Sequence, residues 1–96
     1  MAFCARYGLP RPQVNTRVCG YEVDAFFAAE GVIVELDGWE FHRDRQAFED
    51  DRVRDADMLA AGLVTVRITW ERYTRTPDSE ARRLKTILAA RRPEAR

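Results

Sequence analysis

Lysine is almost missing from this chain: Lys85 stands alone among fifteen arginines, a bias from which no function follows. Histidine occurs once, at His42, and the two cysteines, Cys4 and Cys19, lie far apart. That scarcity excludes a zinc site of ordinary Cys/His spacing. No apolar run approaches the roughly 20 residues that span a bilayer, and no secretory pattern opens the chain. A cytoplasmic location is therefore expected, with both thiols reduced and no membrane as partner. Repeats, linkers and low-complexity stretches are also missing, so residues 1–96 read as one small domain. At 46% hydrophobic and 33% charged residues, the composition suits a globular chain rather than a disordered one.

What is present is charge, and it is segregated. Residues 1–20 carry three arginines and no acid, and residues 21–40 carry six acids and no base. Residues 41–60 come to −2 from four arginines and six acids, and residues 61–96 come to +5 from nine bases and four acids. The formal net charge is zero. An acidic centre between basic ends suits a cation site beside a polyanion-binding surface, and an ordinary mixed surface would give the same counts.

Hydrophobic alternation and turn residues predict an α/β order. Residues 2–7 are too short to form a stable helix unaided, and Gly8–Pro12 ends them. Val14–Val18 and Tyr21–Phe27 read as strands joined by a Cys19–Gly20 turn, and Ala28–Gly31 turns the chain into a third strand, Val32–Asp37. Gly38 breaks that strand, Trp39–Arg43 connects, and Asp44 can cap a helix running to about Ala61, with Gly62 as its stop. Phe48, Asp51 or Arg52, Asp55 and Leu59 follow the rhythm of one face of that helix. Leu63–Thr69 is a strand, and a strand–helix–strand crossover makes it parallel to Val32–Asp37. Trp70–Thr74 forms a turn or helical segment. With Thr76 as cap and Pro77 in the first turn, a last helix runs to about Ala90 on a stripe of Leu84, Ile87 and Leu88.

The strand Val32–Asp37 holds the chemical signal. Val32, Ile33, Val34 and Leu36 call for burial, yet Glu35 and Asp37 interrupt them on one face. Unpaired buried carboxylates cost several kcal/mol each by typical transfer estimates of roughly 2–7 kcal/mol for polar groups, so a metal or an arginine is expected beside them. Asp24 lies eleven residues before Glu35. On one sheet, Glu22, Asp24, Glu35, Asp37 and Arg67 would share a polar face, and Val23, Val34, Leu36, Val64, Val66 and Ile68 the opposite one. Magnesium prefers oxygen donors and keeps several waters, so two or three strand-end carboxylates suffice. Arg67 could neutralise these acids or contact a phosphate.

The segments EVDAFF, VELDGWEFH, DRVRDADMLAAG and VTVRITW, in that order and spacing, resemble the very-short-patch-repair (Vsr)-like endonuclease domains of the PD-(D/E)XK superfamily over roughly Leu9 to Ala90. The resemblance implies a restriction-endonuclease-like core: a mixed sheet of an antiparallel hairpin and a parallel crossover strand, flanked by helices. It implies a metal-dependent DNA endonuclease of repair, restriction or defence, with magnesium or manganese held by Asp24, Glu35 and the carbonyl of Leu36. Asp37 stands where many relatives carry lysine and could orient water or bind a second cation. His42 resembles a histidine suited to acid–base work or phosphate contact. Asp51, Arg54 and Asp55 match a recurrent helical pattern and, with Glu22, would support the site through salt bridges. Trp39 and Phe41 could stack on bases or cap the core, with Arg43 a further nucleic-acid contact.

One departure bears on activity. Related domains begin with a full helix carrying another glutamate, whereas this chain keeps only the stub Ala2–Tyr7 and has no acid before Glu22. The expectation is a truncated N-terminal helix, with a second copy or an upstream domain or partner supplying what is missing. The alternative is a catalytically impaired nucleic-acid-binding or partner-binding module on the same fold.

Overall fold

The computed structural model describes residues 1–38 and 45–93. Its elements are α1 (Ala2–Arg6), β1 (Gln13–Val18), β2 (Tyr21–Phe27), β3 (Val32–Asp37), α2 (Arg45–Ala60), β4 (Val64–Thr69), α3 (Trp70–Arg75) and α4 (Pro77–Arg91). The four strands form one sheet in the order β1-β2-β3-β4. β1 and β2, and β2 and β3, pair antiparallel, whereas β4 lies parallel to β3 with Val34 opposite Val66 and Asp37 opposite Thr69. The α/β class, the antiparallel hairpin and the parallel crossover are thus as the sequence predicted.

Local chemistry explains the joints. Cys19 and Gly20 both have positive φ, 52° and 83°, which matches the twist of a two-residue hairpin. At the end of α2, Gly62 (φ 85°) donates its N–H to the carbonyl of Leu59 and Leu63 donates to Met58. This is a Schellman closure, which a left-handed glycine permits without steric cost. It occupies the Leu63 amide, so β4 begins at Val64. The hydroxyl of Thr69 accepts from the Arg72 N–H at 3.2 Å, capping α3. Thr76 does precede α4, but its hydroxyl does not cap that helix. It donates instead to the Arg72 carbonyl, because the same residue closes α3.

The two faces of the sheet are unequal. Beneath α1 and α4, Phe3, Cys4, Leu9, Ala25, Phe27, Val32, Val34, Ile68, Ala81, Leu84 and Leu88 form the main core. Short as it is, α1 is held there by tertiary packing of Phe3 and Cys4. Beneath α2, the described residues supply Val18, Val23, Ile33 and Met58, with Tyr21, Phe26 and Leu63 at the margin.

Two expected face assignments are corrected. Val23 packs with Ile33 and Met58, not with Val34, while Ala25, two residues on, joins Val34. The ladder passes from Val14↔Ala25 to Thr16↔Val23 across Asn15, whose φ is 48°. A left-handed residue inside a strand breaks the simple two-residue alternation, so faces exchange there. On α2, Phe48 and Leu59 are exposed, and the sheet-facing row is Asp51, Arg54, Asp55 and Met58. Polar partners on the sheet, rather than hydrophobicity, set the rotation of that helix. No helix among the described residues is long and apolar enough to cross a membrane.

Candidate functional site

The recorded β2–β3 pairing runs from Phe27↔Val32 to Ala25↔Val34. One step further, side chains take the place of a backbone rung. Asp24 donates its main-chain N–H to Oε1 of Glu35 at 3.1 Å, and Oδ2 of Asp24 accepts the N–H of Leu36 at 2.7 Å. The two carboxylates therefore reach across to each other's strand. Each satisfies an amide that would otherwise be left without a partner where the strands part.

Glu35 is only 8% exposed. Its second oxygen, Oε2, accepts from Nη2 of Arg54 on α2. The same guanidinium donates to the carbonyl of Glu22 at 2.5 Å and lies 5.2 Å from the ring centre of Tyr21. The Tyr21 hydroxyl in turn donates to Asp57 at 2.9 Å. Burial pushes the Glu35 carboxyl above its ordinary value, and the nearby Asp24 charge adds to that; the Asp24 amide, Arg54 and Arg67 oppose the rise without cancelling it.

Arg67 organises the other half of the site. From β4 it forks onto Asp55 of α2, with Nε to Oδ2 at 3.1 Å and Nη2 to Oδ1 at 2.8 Å. Its Nη1 donates to Asp37 at 3.1 Å and lies 3.8 Å from Asp51. The bidentate match of guanidinium to carboxylate accounts for the fork. The bond to Asp55 and the charges of Asp55, Asp37 and Asp51 hold Arg67 more firmly protonated than a free arginine, against the effect of burial.

The structure thus brings together Asp24, Glu35, Leu36, Asp37, Asp51, Arg54, Asp55 and Arg67, five carboxylates against two guanidiniums. Glu22 stands apart: its side chain is exposed, and it contributes its carbonyl to Arg54. His42, Trp39, Arg43 and Phe41 lie outside the described residues. Sequence reasoning missed Tyr21 and Asp57. No sequence pattern marks Tyr21 for the site, and the hint of Asp57 is its i+3 spacing from Arg54 on a helix.

Among the described residues, no three His, Cys, Asp or Glu side chains are grouped so as to hold a metal. Asp24 and Glu35 are carboxylates, the donor type a hard cation takes, and three of their four oxygens here accept the Leu36 amide, the Asp24 amide and Arg54. A cation there would share Glu35 with Arg54 or displace it. No protein-family description, curated protein or solved structure matches the chain in comparisons with known proteins.

Proposed function

We infer that this chain is a divalent-cation-dependent phosphodiesterase domain acting on DNA, built on a restriction-endonuclease-like core of the very-short-patch-repair-like type. The observation that carries this reading is the crossing of Asp24 and Glu35 over the parted ends of β2 and β3, next to Leu36. Asp24, Glu35 and the carbonyl of Leu36 would hold magnesium or manganese. When bound, such an ion would supply Lewis acidity toward a phosphoryl oxygen and toward water, the chemistry that phosphodiester hydrolysis needs. The chain's own groups would hold that arrangement in register. Arg54 fixes the carboxylate of Glu35 from α2, and Arg67 ties Asp37 and Asp55 together across the sheet and helix. His42 is the proposed group for moving a proton or contacting a phosphate. The setting of that activity would be cytoplasmic repair, restriction or defence, with DNA as the partner.

The test is plasmid nicking with magnesium. Wild-type protein is expected to nick, and Glu35→Ala and Asp24→Asn to abolish nicking. Nicking that persists in both Glu35→Ala and EDTA would sink the proposal.

A second reading has an observation of its own. Arg54 and Arg67 already neutralise Glu35, Asp37 and Asp55, so the lattice can stand without a cation. On that reading the fold is a nucleic-acid-binding or partner-binding module without cleavage. Magnesium titration by calorimetry separates the two: heat lost in Asp24→Asn favours the first, and no heat in wild type at about millimolar magnesium, the range of weak carboxylate sites, favours the second.

A further inference from the structure

The two basic ends of the chain, separate in sequence, meet in one layer. α1 and α4 pack on the same face of the sheet, where Phe3, Cys4 and Leu9 join Ala81, Leu84 and Leu88. The Tyr7 hydroxyl bonds Asp78 at 2.5 Å, and Lys85 lies beside Gly8. From Ala81 to Pro93 the chain carries Arg82, Arg83, Lys85, Arg91 and Arg92 and no acid, and residues 1–20 add Arg6, Arg11 and Arg17. Of the acids at the start of α4, Glu80 is enclosed and Asp78 is exposed, so they offset this charge only in part. Glu80 is 3% exposed and shared between Arg72 and Arg83, and Asp78 is taken by Tyr7. Arg11, Arg82 and Lys85 form no ion pair among the described residues.

Three surface grooves of about 260, 340 and 410 Å³ cross this layer. One is lined by Lys85 and Arg92, one by Arg6 and Tyr73, and one by Arg11, and no acid lines any of them. An aromatic platform stands beside the second. Trp70, 42% exposed, stacks on Tyr73 with ring centres 5.7 Å apart and planes at 23°. Trp70 directly follows Thr69, the partner of Asp37 across β3 and β4. The platform therefore sits at the same end of the sheet as the acidic site.

We propose that the α1–α4 layer is a track for single-stranded nucleic acid, with Trp70 as a base-stacking platform and Arg11, Arg82 and Lys85 as phosphate contacts. A flexible strand with open base faces fits shallow basic grooves, one of them lined by Tyr73, the ring on which the exposed indole of Trp70 stacks. Arginine's planar fork suits phosphate. The charged face of α4 has no exposed large apolar side chain, as a helix lying in a lipid surface would have. The choice of ligand rests on the nucleic-acid reading above, but binding to this layer does not require cleavage or metal.

The experiment is fluorescence anisotropy of a labelled oligothymidine of about 20 nucleotides, longer than typical single-strand sites, in EDTA at about 50 mM salt. Saturable binding is expected, weakened on the order of tenfold in Trp70→Ala. Arg82→Glu combined with Lys85→Glu should weaken it further and flatten the salt slope by roughly 1.4, for two lost phosphate contacts. Circular dichroism confirms folding, and the two solvent-facing reversals keep the test valid if Trp70→Ala does not fold. Phe48→Ala, on α2, should bind as wild type. No binding by wild type, equal binding by the folded α4 double variant, duplex bound as tightly as single strand, or anionic vesicles bound as tightly as the oligonucleotide would each overturn the proposal. Because EDTA removes the cation, a failed nicking assay with intact binding condemns only the cleavage reading.

Discussion

The α1–α4 face of the sheet is held by interlocking apolar side chains, whereas the α2 face is held by guanidiniums and carboxylates. Leu84 and Leu88 sink into the first face, and the second buries Met58 as its only fully enclosed helix residue. The difference separates stability from chemistry. Apolar burial contributes roughly 25 cal/mol per Å², largely independent of orientation. Partly buried ion pairs contribute little net stability, because desolvation offsets their attraction, but they fix geometry closely. The α2 face thus trades packing for the placement of Glu35, Asp37 and Arg67 at one end of the strands.

The largest effect should come from the apolar side. Leu84→Ala should lower unfolding free energy by about 2–5 kcal/mol, the usual range for a buried leucine that leaves a cavity. Urea denaturation reads this directly, and a loss below about 1 kcal/mol would break the contrast between the faces. Next in size is Arg67→Met, which leaves Asp37, Asp55 and Asp51 without their shared cation. Discounted for partial solvent access, the expected loss is about 1–3 kcal/mol. It should shrink as added salt screens the charges, and a loss that does not vary with salt would show that packing, not charge, is at stake.

The smallest effect is also the most specific. Glu35 takes up a proton more readily in the folded chain than its ordinary value of 4.5 would allow. Between that value and the raised one, the folded state binds more protons than the unfolded state. Its contribution to stability is therefore present below pH 4.5 and is lost as pH rises through the folded value. Glu35→Gln removes this titration. In EDTA, the stability of wild type relative to Glu35→Gln should fall as pH rises from 4.5. Parallel stability curves would contradict the buried state of this carboxylate.

Much of the fold was legible because local signals agreed with one another. The Cys19–Gly20 turn, the Gly62 stop, the apolar run at Val32–Leu36 and the stripe of Leu84 and Leu88 each follow from backbone freedom or hydrophobic period. Legibility failed where alternation was assumed to be unbroken. Asn15 in a left-handed conformation shifts Val23 to the α2 side, and nothing in its neighbours announces it. It failed again on α2, where a mixed row of acids and arginines gives no hydrophobic period. The helix rotates to satisfy Glu35 and Arg67, so Phe48 and Leu59 turn outward and Arg54 turns in.

By itself the sequence determined that an acid pair belongs at the end of a strand, since Glu35 and Asp37 within an apolar run demand compensation wherever the chain folds. It also determined the charge segregation, which is a property of residue order alone. Only tertiary structure decided what answers those acids: for Glu35, the Asp24 amide and Arg54 from a helix nineteen residues on, and for Asp37, Arg67 from the neighbouring parallel strand. Tertiary structure also joined the basic ends, through the packing of α1 on α4. Hydrogen bonds and ion pairs act over a few ångströms and depend on direction, so their partners are fixed by the packing of strand, helix and crossover rather than by spacing along the chain.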